Sequence, residues 1–329
     1  MDNTFDFLAI GDIVTDAFIR LTQAEVQDSI DHRTKQLCVT FGDKVPYESV
    51  KVVKGVGNSA NAAVAAARLG LTSALIADVG DDQNGKECIG ALADSGVSVD
   101  YIKINKGLDT NYHYVLWYDV ERTILVKHQQ YAYALPEMQT SPKWIYLSSV
   151  GETSLPYHGV ISSYLSAHPE VKLAFQPGTY QMKFGTEVLK NIYARSEIFF
   201  CNVQEAQRIL KSEEKDIKKL LEAVRELGPK YVFITDGIDG AYAYDGNDYW
   251  FMPVYPHTPI ERTGAGDAFS STVTVALALG KSVEEALMWG PINSMSVVQK
   301  IGAQEGLLTR EQLEVFIAKA PVEYRPKKI

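Results

Sequence analysis

The strongest constraint on the fold of this chain is an alternation of short apolar runs with helix-like segments. FDFLAIGDIV near the N-terminus predicts a buried strand, and NSANAAVAAARLG (58–70) predicts an Ala-rich helix that ends at Gly70. TSALIADVG then predicts a second strand and NGKECIGALADSGV a second helix, and the alternation resumes from residue 143. This order is typical of βαβ units, so we predict a doubly wound α/β domain with a mostly parallel sheet.

Two segments interrupt this alternation. Residues 17–54 and 109–128 are rich in β-branched and aromatic residues and lack helical periodicity, so both predict antiparallel strands outside the main sheet. The second segment predicts a hairpin that turns near Asp119 to Glu121. We expect the two segments to form a small inserted β-sheet that acts as a lid. The remaining residues are assigned to the α/β domain: 1–16, 55–108 and 129–329.

Composition excludes several classes of function. The net charge of -9 argues against a surface for nucleic acid or for an anionic membrane, because phosphate binding needs a basic patch. The cysteines Cys38, Cys88 and Cys201 form no CxxC pair, and the six histidines show no metal-ligand spacing. The chain shows no signal-peptide pattern and no apolar window long enough to span a bilayer, so we expect a cytoplasmic location.

The stretch TGAGD (263–267) leads into a further apolar helix. The unpaired N–H groups at a helix N-terminus favour anions, and Gly264 and Gly266 let a phosphate approach the backbone closely. Asp267 could take a proton from a hydroxyl while these N–H groups stabilise a transferred phosphoryl group. A simple helix N-cap is the alternative interpretation. The chain lacks both GxxxxGK[ST] and the protein-kinase motifs, so phosphoryl transfer here would use another architecture.

Several motifs, taken in order, resemble the ribokinase-like, or PfkB, family of ATP-dependent carbohydrate and nucleoside kinases over nearly the whole chain. The matching stretches are GDIVTD (11–16), VGNSANAAVAAARLG (56–70), NVQE (202–205), TDGIDGA (235–241) and TGAGD (263–267). The resemblance implies a ribokinase-like fold, in which helices flank the sheet and a small β-sheet lid is inserted. It also implies ATP and Mg²⁺ as cofactors and a homodimer formed through the lid sheet.

The same resemblance implies roles for individual residues. Asp267 would be the catalytic base, and Gly264, Ala265 and Gly266 would form the anion hole beside it. The residues implied in substrate binding, together with Asp267, are Asp16, Gly57 and Asn61. The residues implied in ATP binding are Asn202, Glu205, Thr235, Gly237, Gly240 and Asn293. Glu205 would also organise Mg²⁺ through a water molecule.

Each of these roles has a structural alternative. Asp16 would otherwise cap a turn, and Asn61 would lie on a solvated helix face. The spacing of Asn202 and Glu205 also fits a capping box, which is compatible with a phosphate site at the same helix start. For Asn293, the alternative is packing inside its helix pair.

The chain departs from the family pattern at two places. Val56 replaces the first glycine of the first signature, and Glu261 and Arg262 replace the Asp-Thr pair that precedes TGAGD. In family members activated by potassium, this loop and the region of KIGAQEG (300–306) hold the ion. Glu261 is the candidate ligand here. Its side chain is longer than that of the aspartate it replaces, and Gly306 has no side chain to offer, and both facts argue against a potassium site.

The leading hypothesis is therefore an ATP-dependent sugar kinase that transfers the γ-phosphoryl group to a primary hydroxyl. The first alternative is a nucleoside kinase on the same fold, because Asp16, Gly57 and Asn61 would hold a ribose in either case. The second alternative is a sugar or nucleotide sensor without catalytic activity, because fold alone does not determine function. Asp267 with its flanking glycines favours a kinase over a sensor.

Overall fold

The main sheet is built from strands that alternate with helices along the chain, as the sequence predicts. The computed structural model describes residues 4–29, 35–119 and 121–329. The strands of the main sheet are β1 (Phe7–Ile10), β6 (Ser73–Gly80), β7 (Ile102–Asn105), β10 (Trp144–Leu147), β11 (Lys172–Phe175), β12 (Ser196–Asn202), β13 (Tyr231–Thr235), β14 (Ala241–Tyr244), β15 (Tyr249–Met252) and β16 (Lys327–Lys328). The helices are α1 (Asn58–Arg68), α2 (Gln83–Asp94), α3 (Leu155–Ala167), α4 (Thr179–Phe184), α5 (Lys190–Arg195), α6 (Val203–Leu210), α7 (Ile217–Glu226), α8 (Ala265–Ala278), α9 (Val283–Val298) and α10 (Arg310–Ala318).

The strand order of the main sheet is β16-β15-β14-β13-β12-β11-β10-β1-β6-β7. Pairing is parallel from β7 through β13 and antiparallel from β13 to β16. The central strands β1, β6 and β10 are buried along their whole length, as expected for a parallel sheet covered by helices on both faces. The predicted fold class, a mostly parallel α/β sheet, is confirmed.

Two apolar layers cover the two faces of this sheet. In β1, Phe7 and Ala9 point into one layer while Leu8 and Ile10 point into the other, because successive strand residues face opposite sides. Helices α1, α8 and α9 pack in the first layer, and helices α3, α5 and α7 pack in the second. The Ala-rich sequence of α1 lets this helix lie close to both β1 and α8.

The lid is a four-stranded sheet of order β5-β2-β8-β9. Its strands are β2 (Val14–Leu21), β5 (Tyr47–Val56), β8 (Tyr112–Tyr118) and β9 (Glu121–Leu125). β2 pairs with β5 and β8 pairs with β9 in antiparallel fashion, as expected, but the β2–β8 pair is parallel. Both segments assigned to the lid therefore contribute strands to it, and the division into domains stays a prediction.

The predicted hairpin of the second lid segment is formed by β8 and β9, in which Tyr118 pairs with Glu121. Residue 120 of its expected turn lies outside the described residues. The first lid segment also holds a separate exposed ribbon of β3 (Glu25–Asp28) and β4 (Lys35–Cys38). In the described part of the chain, no helix combines the length and the apolar character that crossing a bilayer requires.

Two glycines test how tightly the helical layer packs. A Cβ atom added at Gly306 would lie 2.3 Å from the carbonyl oxygen of Ser296 in α9, which is backbone and cannot give way. At Gly90, inside α2, an added Cβ meets nothing within 4 Å. We expect Gly306→Ala to lower the free energy of unfolding by about 1–3 kcal/mol through overpacking. Gly90→Ala should raise it by about 0.5–1 kcal/mol.

Urea unfolding followed by circular dichroism measures both values on the same scale. Two variants that change stability in the same direction would contradict this account of the contact between Gly306 and α9.

Candidate active site

The candidate site lies where two helices begin at the carboxyl edge of the parallel strands. Helix α1 begins at Asn58, shortly after β5, and α8 begins at Ala265, directly after TG of the TGAGD motif. Gln176 follows the last residue of β11 at the same edge. In open α/β sheets this edge is where ligands bind.

The carboxylate of Asp267 is held by three side-chain amides. Oδ1 accepts hydrogen bonds from Nδ2 of Asn58 at 2.7 Å and from Nε2 of Gln176 at 3.1 Å. Oδ2 accepts one from Nδ2 of Asn61 at 2.8 Å. The oxygen of the Asn61 amide is in turn bound by Gln304 Nε2 at 3.0 Å. Asp267 is only 8% exposed, and its carboxylate is oriented by donors from helix α1 and from the end of β11.

Burial raises the pKa of Asp267 above the usual value for an aspartate. The hydrogen bonds from Asn61, Asn58 and Gln176, and the positive charge of Arg122, oppose this shift because they stabilise the ionised form. The net direction is upward, which makes the carboxylate a better proton acceptor than an exposed aspartate. A raised pKa at a candidate general base is typical of catalytic sites, although structural networks also produce it.

Gln176 is oriented by contacts behind the site. Its Oε1 accepts hydrogen bonds from the hydroxyl of Tyr146 and from Oγ of Ser270, the latter at 3.1 Å. Oγ of Ser270 also lies 2.8 Å from the carbonyl oxygen of Gly266, which shares its single proton. Because both donors bind the oxygen of the amide, its nitrogen faces Asp267. Gln176 therefore links the buried Tyr146 to the candidate base.

The turn before α8 has the form expected of an anion hole. Gly264 adopts φ 82°, and a Cβ there would lie 2.4 Å from the Cβ of Ala303, so both conformation and space require glycine. The N–H of Ala265 points back to the carbonyl of Arg262 at a long 3.4 Å. The N–H groups of Gly266 and Asp267 lie in the first helical turn, where the helix offers them no carbonyl.

Asp16 lies inside the lid strand β2 and is buried, and its Oδ1 has no hydrogen-bond partner among the described residues. Nδ1 of His113, its neighbour on β8, lies 3.4 Å from that oxygen. Asp12 is also buried and accepts a hydrogen bond from the hydroxyl of Tyr133 at 2.9 Å. Nδ1 of His128 lies 3.3 Å from Asp12 Oδ2. Two buried carboxylates and two imidazoles therefore lie together near the junction of β1 and β2.

Gly57 connects the lid strand β5 to α1. It adopts φ 119°, and a Cβ there would lie 2.5 Å from the carbonyl oxygen of Asp12, so a side chain would separate the two segments. Asn61 does not lie on a solvated helix face, because it is 4% exposed and donates to Asp267. The structure thus brings Gly57 and Asn61 to the same edge as Asp267.

Asn202 and Glu205 form the capping box that their spacing suggested. Glu205 N–H donates to Asn202 Oδ1 at 2.8 Å, and Asn202 N–H donates to Glu205 Oε2 at 2.9 Å. Burial raises the pKa of Glu205, and the charge of Asp267 adds to that shift. The two carboxylates are therefore close enough to interact, so α6 begins next to the same site as α8.

The TDGIDGA stretch forms a tight turn between β13 and β14. Thr235 ends β13 and pairs with Ala241, and the N–H of Asp236 donates to the carbonyl of Gly240 at 2.8 Å. Gly237 adopts φ 54° with open space where a Cβ would be, whereas a Cβ at Gly240 would lie 2.5 Å from a backbone carbonyl. The turn therefore leaves exposed backbone at Gly237.

Asn293 has a packing role in the structure. It is fully buried, its Nδ2 donates to Thr272 Oγ1 at 2.8 Å, and its Oδ1 accepts from the N–H of Leu308 at 2.9 Å. Both ends of the amide are used within the protein, so the structure does not place Asn293 on a surface that adenine could contact. The alternative interpretation, packing within its helix pair, describes the observed contacts.

Glu261 is fully buried and faces the lid. Its Oε1 accepts hydrogen bonds from the N–H and the hydroxyl of Thr263, at 2.8 and 2.6 Å, and lies 3.7 Å from Nε of Arg122 on β9. Gly306 packs against the backbone of α9 and carries no ligand atom beyond its backbone. A guanidinium thus already offers positive charge to the carboxylate that was the candidate potassium ligand.

The comparison with known proteins decides the family. The model of the pfkB family carbohydrate kinases matches residues 29–310, which is more than half of the chain. This chain belongs to the pfkB family of carbohydrate kinases. Enzymes of the pfkB family are phosphotransferases, and the similarity extends over most of the chain.

Individual pfkB relatives differ in the substrates that their names give. The chain is 27% identical over 288 residues to the ribokinase of Bacillus subtilis, covering 84% of this chain and 92% of the relative. It is 24% identical over 336 residues to the 5-dehydro-2-deoxygluconokinase of Halalkalibacterium halodurans, covering 97% and 96%. Among solved structures, Arabidopsis thaliana ribokinase complexed with ribose and ATP superposes with a TM-score of 0.78 at 19% identity, covering 95% and 99%. That likeness shows that the fold is ribokinase-like.

Sequence reasoning missed several residues that the structure brings to this pfkB site. Asn58 lies in the VGNSANAAVAAARLG stretch but was given no role there, and Gln176 and Arg122 belong to none of the matching stretches. Asn58 and Gln176 donate to Asp267, and the charge of Arg122 acts on it. His113 and His128 were set aside because their spacing along the chain is unlike that of a metal site. The position of Gln176 directly after a strand was the available signal, because side chains there reach the sheet edge. His32 lies outside the described residues.

The hydrogen bond from Gln176 to Asp267 predicts a change in pH dependence. Gln176→Ala removes a donor that holds the pKa of Asp267 down, so this pKa should rise further. Because a general base works ionised, the acidic limb of kcat/KM for phosphotransfer should move to higher pH. The pH profile of turnover with an accepted sugar measures the shift. Gln83→Ala, an exposed glutamine that bonds only within α2, is the matched control. An unchanged acidic limb in Gln176→Ala would contradict this role.

Proposed function

We propose that this chain is an ATP-dependent, Mg²⁺-requiring kinase that phosphorylates a primary hydroxyl of a small, uncharged sugar. The observation that carries the proposal is the buried carboxylate of Asp267, which lies in the first turn of α8 beside N–H groups that the helix leaves unpaired. Membership of the pfkB family supports the reaction class.

In this mechanism Asp267 removes the proton from the sugar hydroxyl. The new bond joins the sugar oxygen to the γ-phosphorus, and the bond from that phosphorus to the bridging oxygen breaks, which leaves ADP. The proton ends on the Asp267 carboxylate and is released with the product. Asn58, Asn61 and Gln176 keep the carboxylate in one orientation, so little reorganisation is needed at the moment of reaction.

The backbone of the TGAGD turn would stabilise the transferred group. The N–H groups of Gly266 and Asp267 are the available donors, and Ala265 would add its own by giving up the long bond to Arg262. Preorganised donors of this kind are often the largest single contribution to catalysis. Gly264 serves the site by letting the turn pack against Ala303 without a side chain.

The N-terminus of α6 and the β13–β14 turn are the proposed ATP contacts. Gly237 offers exposed backbone at the turn, with Thr235 and Gly240 setting its shape. Glu205 uses Oε2 for the capping box, which leaves its other oxygen for a water molecule of hydrated Mg²⁺. Bound Mg²⁺ would neutralise phosphate charge. Because Mg²⁺ usually keeps several water ligands and binds phosphates directly, it fits a site whose carboxylate would contact it only through water.

The two buried carboxylates near the start of the lid favour an uncharged sugar. Asp16 and Asp12 are both buried there, and a carboxylate or phosphate on the substrate would be repelled at that end. Sugar hydroxyls, in contrast, donate hydrogen bonds to carboxylates, and Oδ1 of Asp16 has no hydrogen-bond donor among the described residues. Burial and the charge of Asp12 raise the pKa of Tyr133, so its hydroxyl remains a donor to Asp12.

A panel assay tests the sugar-kinase proposal. ADP release in the presence of Mg²⁺-ATP should rise with a neutral pentose or hexose more than with a sugar acid, a sugar phosphate or adenosine. Asp267→Asn should lower kcat by roughly 100- to 10,000-fold, because the base is lost while the fold is kept. Asp94→Asn, an exposed aspartate at the end of α2, is the matched control.

Each other result of this assay has a definite meaning. Preference for adenosine would replace the sugar by a nucleoside, and binding without turnover in any arm would make the chain a sensor. Wild-type turnover that survives in Asp267→Asn would remove Asp267 from its role. Rates in potassium and in sodium should be equal, because Arg122 already offers positive charge to Glu261.

A homodimer through the lid is part of the same proposal. The outer face of the lid carries a row of paired residues that crosses the sheet from Val52 through Ala17 and Tyr114 to Leu125. Val52, Tyr114 and Leu125 are 44%, 49% and 52% exposed, which is high for apolar and aromatic residues on one sheet face. A second copy of the same face would cover them.

Sedimentation velocity tests the homodimer. Val52→Glu should convert a dimer into a monomer, because a carboxylate would be buried within the proposed contact. Val322→Glu makes the same change at an exposed valine near the C-terminus and should leave the dimer intact. A monomeric wild type, or a dimer that persists in Val52→Glu, would contradict the lid contact.

A further inference from the structure

Two ion pairs connect the lid hairpin to the loop before TGAGD. Nε of Arg122 lies 3.7 Å from Oε1 of Glu261, and Nη1 of Arg262 lies 2.9 Å from Oε1 of Glu121. Glu121 and Arg122 are adjacent on the hairpin, and Glu261 and Arg262 are adjacent on the loop. The acid on each side pairs with the base on the other side. Glu261 and Arg262, which replace the Asp-Thr pair of the family pattern, therefore both contact the lid.

The outer pair, Glu121 with Arg262, has the geometry of an ordinary surface bridge. Its side chains are 61% and 44% exposed, and the 2.9 Å contact is also a hydrogen bond. Exposed pairs of this kind contribute little to stability, because water competes with both partners. Its evident effect is on position, because it holds the start of β9 next to the loop before TGAGD.

The inner pair, Glu261 with Arg122, is different. Glu261 is fully buried, and its Oε2 has no hydrogen-bond partner among the described residues. Nε of Arg122 is likewise buried without a hydrogen bond, and 3.7 Å is too long for one. Leaving a buried carboxylate oxygen and a buried guanidinium nitrogen without hydrogen bonds is costly, so stability does not explain this pair. The guanidinium is held by charge and is free to form hydrogen bonds with a better acceptor.

Arg122 is also the cation that acts on the candidate base. Its charge lowers the pKa of Asp267, against the upward effect of burial. The register of the lid places Arg20 on the same face as Arg122, through Trp117. Arg20, however, lies over the ring of Trp117 and pairs with Glu48 at 2.9 Å. On this face of the lid, Arg122 is thus the arginine that lies next to the loop before TGAGD.

We propose that Arg122 is a catalytic residue carried by the lid, and that it leaves Glu261 to bind oxygens of the phosphoryl group during transfer. This inference rests on the proposed kinase function of the Asp267 site. The planar guanidinium has donors to spare, and phosphate oxygens satisfy them better than a carboxylate at 3.7 Å. Glu261 holds Arg122 in place before the nucleotide arrives, and the Glu121–Arg262 pair sets the hairpin in register.

Exchanging the charges of each pair separates catalysis from positioning. Arg122→Gln should lower kcat by roughly 100- to 1,000-fold, while KM for the sugar changes by less than about threefold. Arg122→Lys should recover part of the loss. The double variant Arg122→Glu/Glu261→Arg should stay inactive, because the cation is then on the wrong side. Glu121→Arg/Arg262→Glu should restore the activity that each outer single variant loses.

Arg20→Gln is the matched control, because it removes a guanidinium from the same face of the lid and should leave kcat within about threefold of the wild type. Thermal unfolding of every variant excludes a loss that comes from misfolding. The proposal is overturned if Arg122→Glu/Glu261→Arg restores turnover as well as Glu121→Arg/Arg262→Glu does, or if Arg122→Gln changes KM alone. Arg122 would then only hold the lid against the loop.

Binding measurements decide the proposal independently of any sugar. By calorimetry, Arg122→Gln should weaken binding of the non-hydrolysable ATP analogue AMP-PNP at least about tenfold and leave ADP binding unchanged, because only the former has a γ-phosphate. Equal effects on both nucleotides, or none, would overturn the role of Arg122. If Arg122→Gln selectively loses AMP-PNP binding but the wild type phosphorylates nothing, the kinase proposal fails. Arg122 then keeps its assignment as a γ-phosphate ligand.

Discussion

The site depends on one buried negative charge, the carboxylate of Asp267. Burying a carboxylate is costly unless hydrogen bonds replace its water, and here the replacement comes from three amides on α1 and at the end of β11. Each amide needs its own partner to point the right way, and Gln304 and Tyr146 provide two of them. The packing of α1 against α8 and the position of β11 are therefore linked to the chemistry of a single side chain.

Much of the fold was accessible from the sequence because it rests on local patterns. The alternation of apolar runs and helices predicted the parallel sheet, and the TGAGD stretch predicted the start of a helix, which α8 provides. The spacing of Asn202 and Glu205 predicted a capping box, which the structure contains. In each case the physical cause acts over a few residues, so a short stretch of sequence is enough to see it.

The remaining features depend on contacts between distant parts of the chain. Gln176 and Asp267 are separated by 91 residues and Asn61 and Asp267 by 206, and no local pattern shows that their side chains meet. The parallel pairing of β2 with β8 was missed because antiparallel and parallel strands have similar compositions. Asn293 shows the converse, because an amide on a helix near the site was taken for a ligand contact and instead joins two helices and a loop.

Asp16 and Asp267 belong to different parts of the molecule, since one lies on a lid strand and the other at the start of α8 in the main domain. A bound sugar that contacts both carboxylates would connect the lid strand to α8. In the proposed kinase, Asp267 is the proton acceptor and Asp16 binds a sugar hydroxyl, and the bound sugar is their common partner. In the proposed kinase, placing one carboxylate on a lid strand and the other on α8 would favour transfer to a sugar over hydrolysis of the nucleotide.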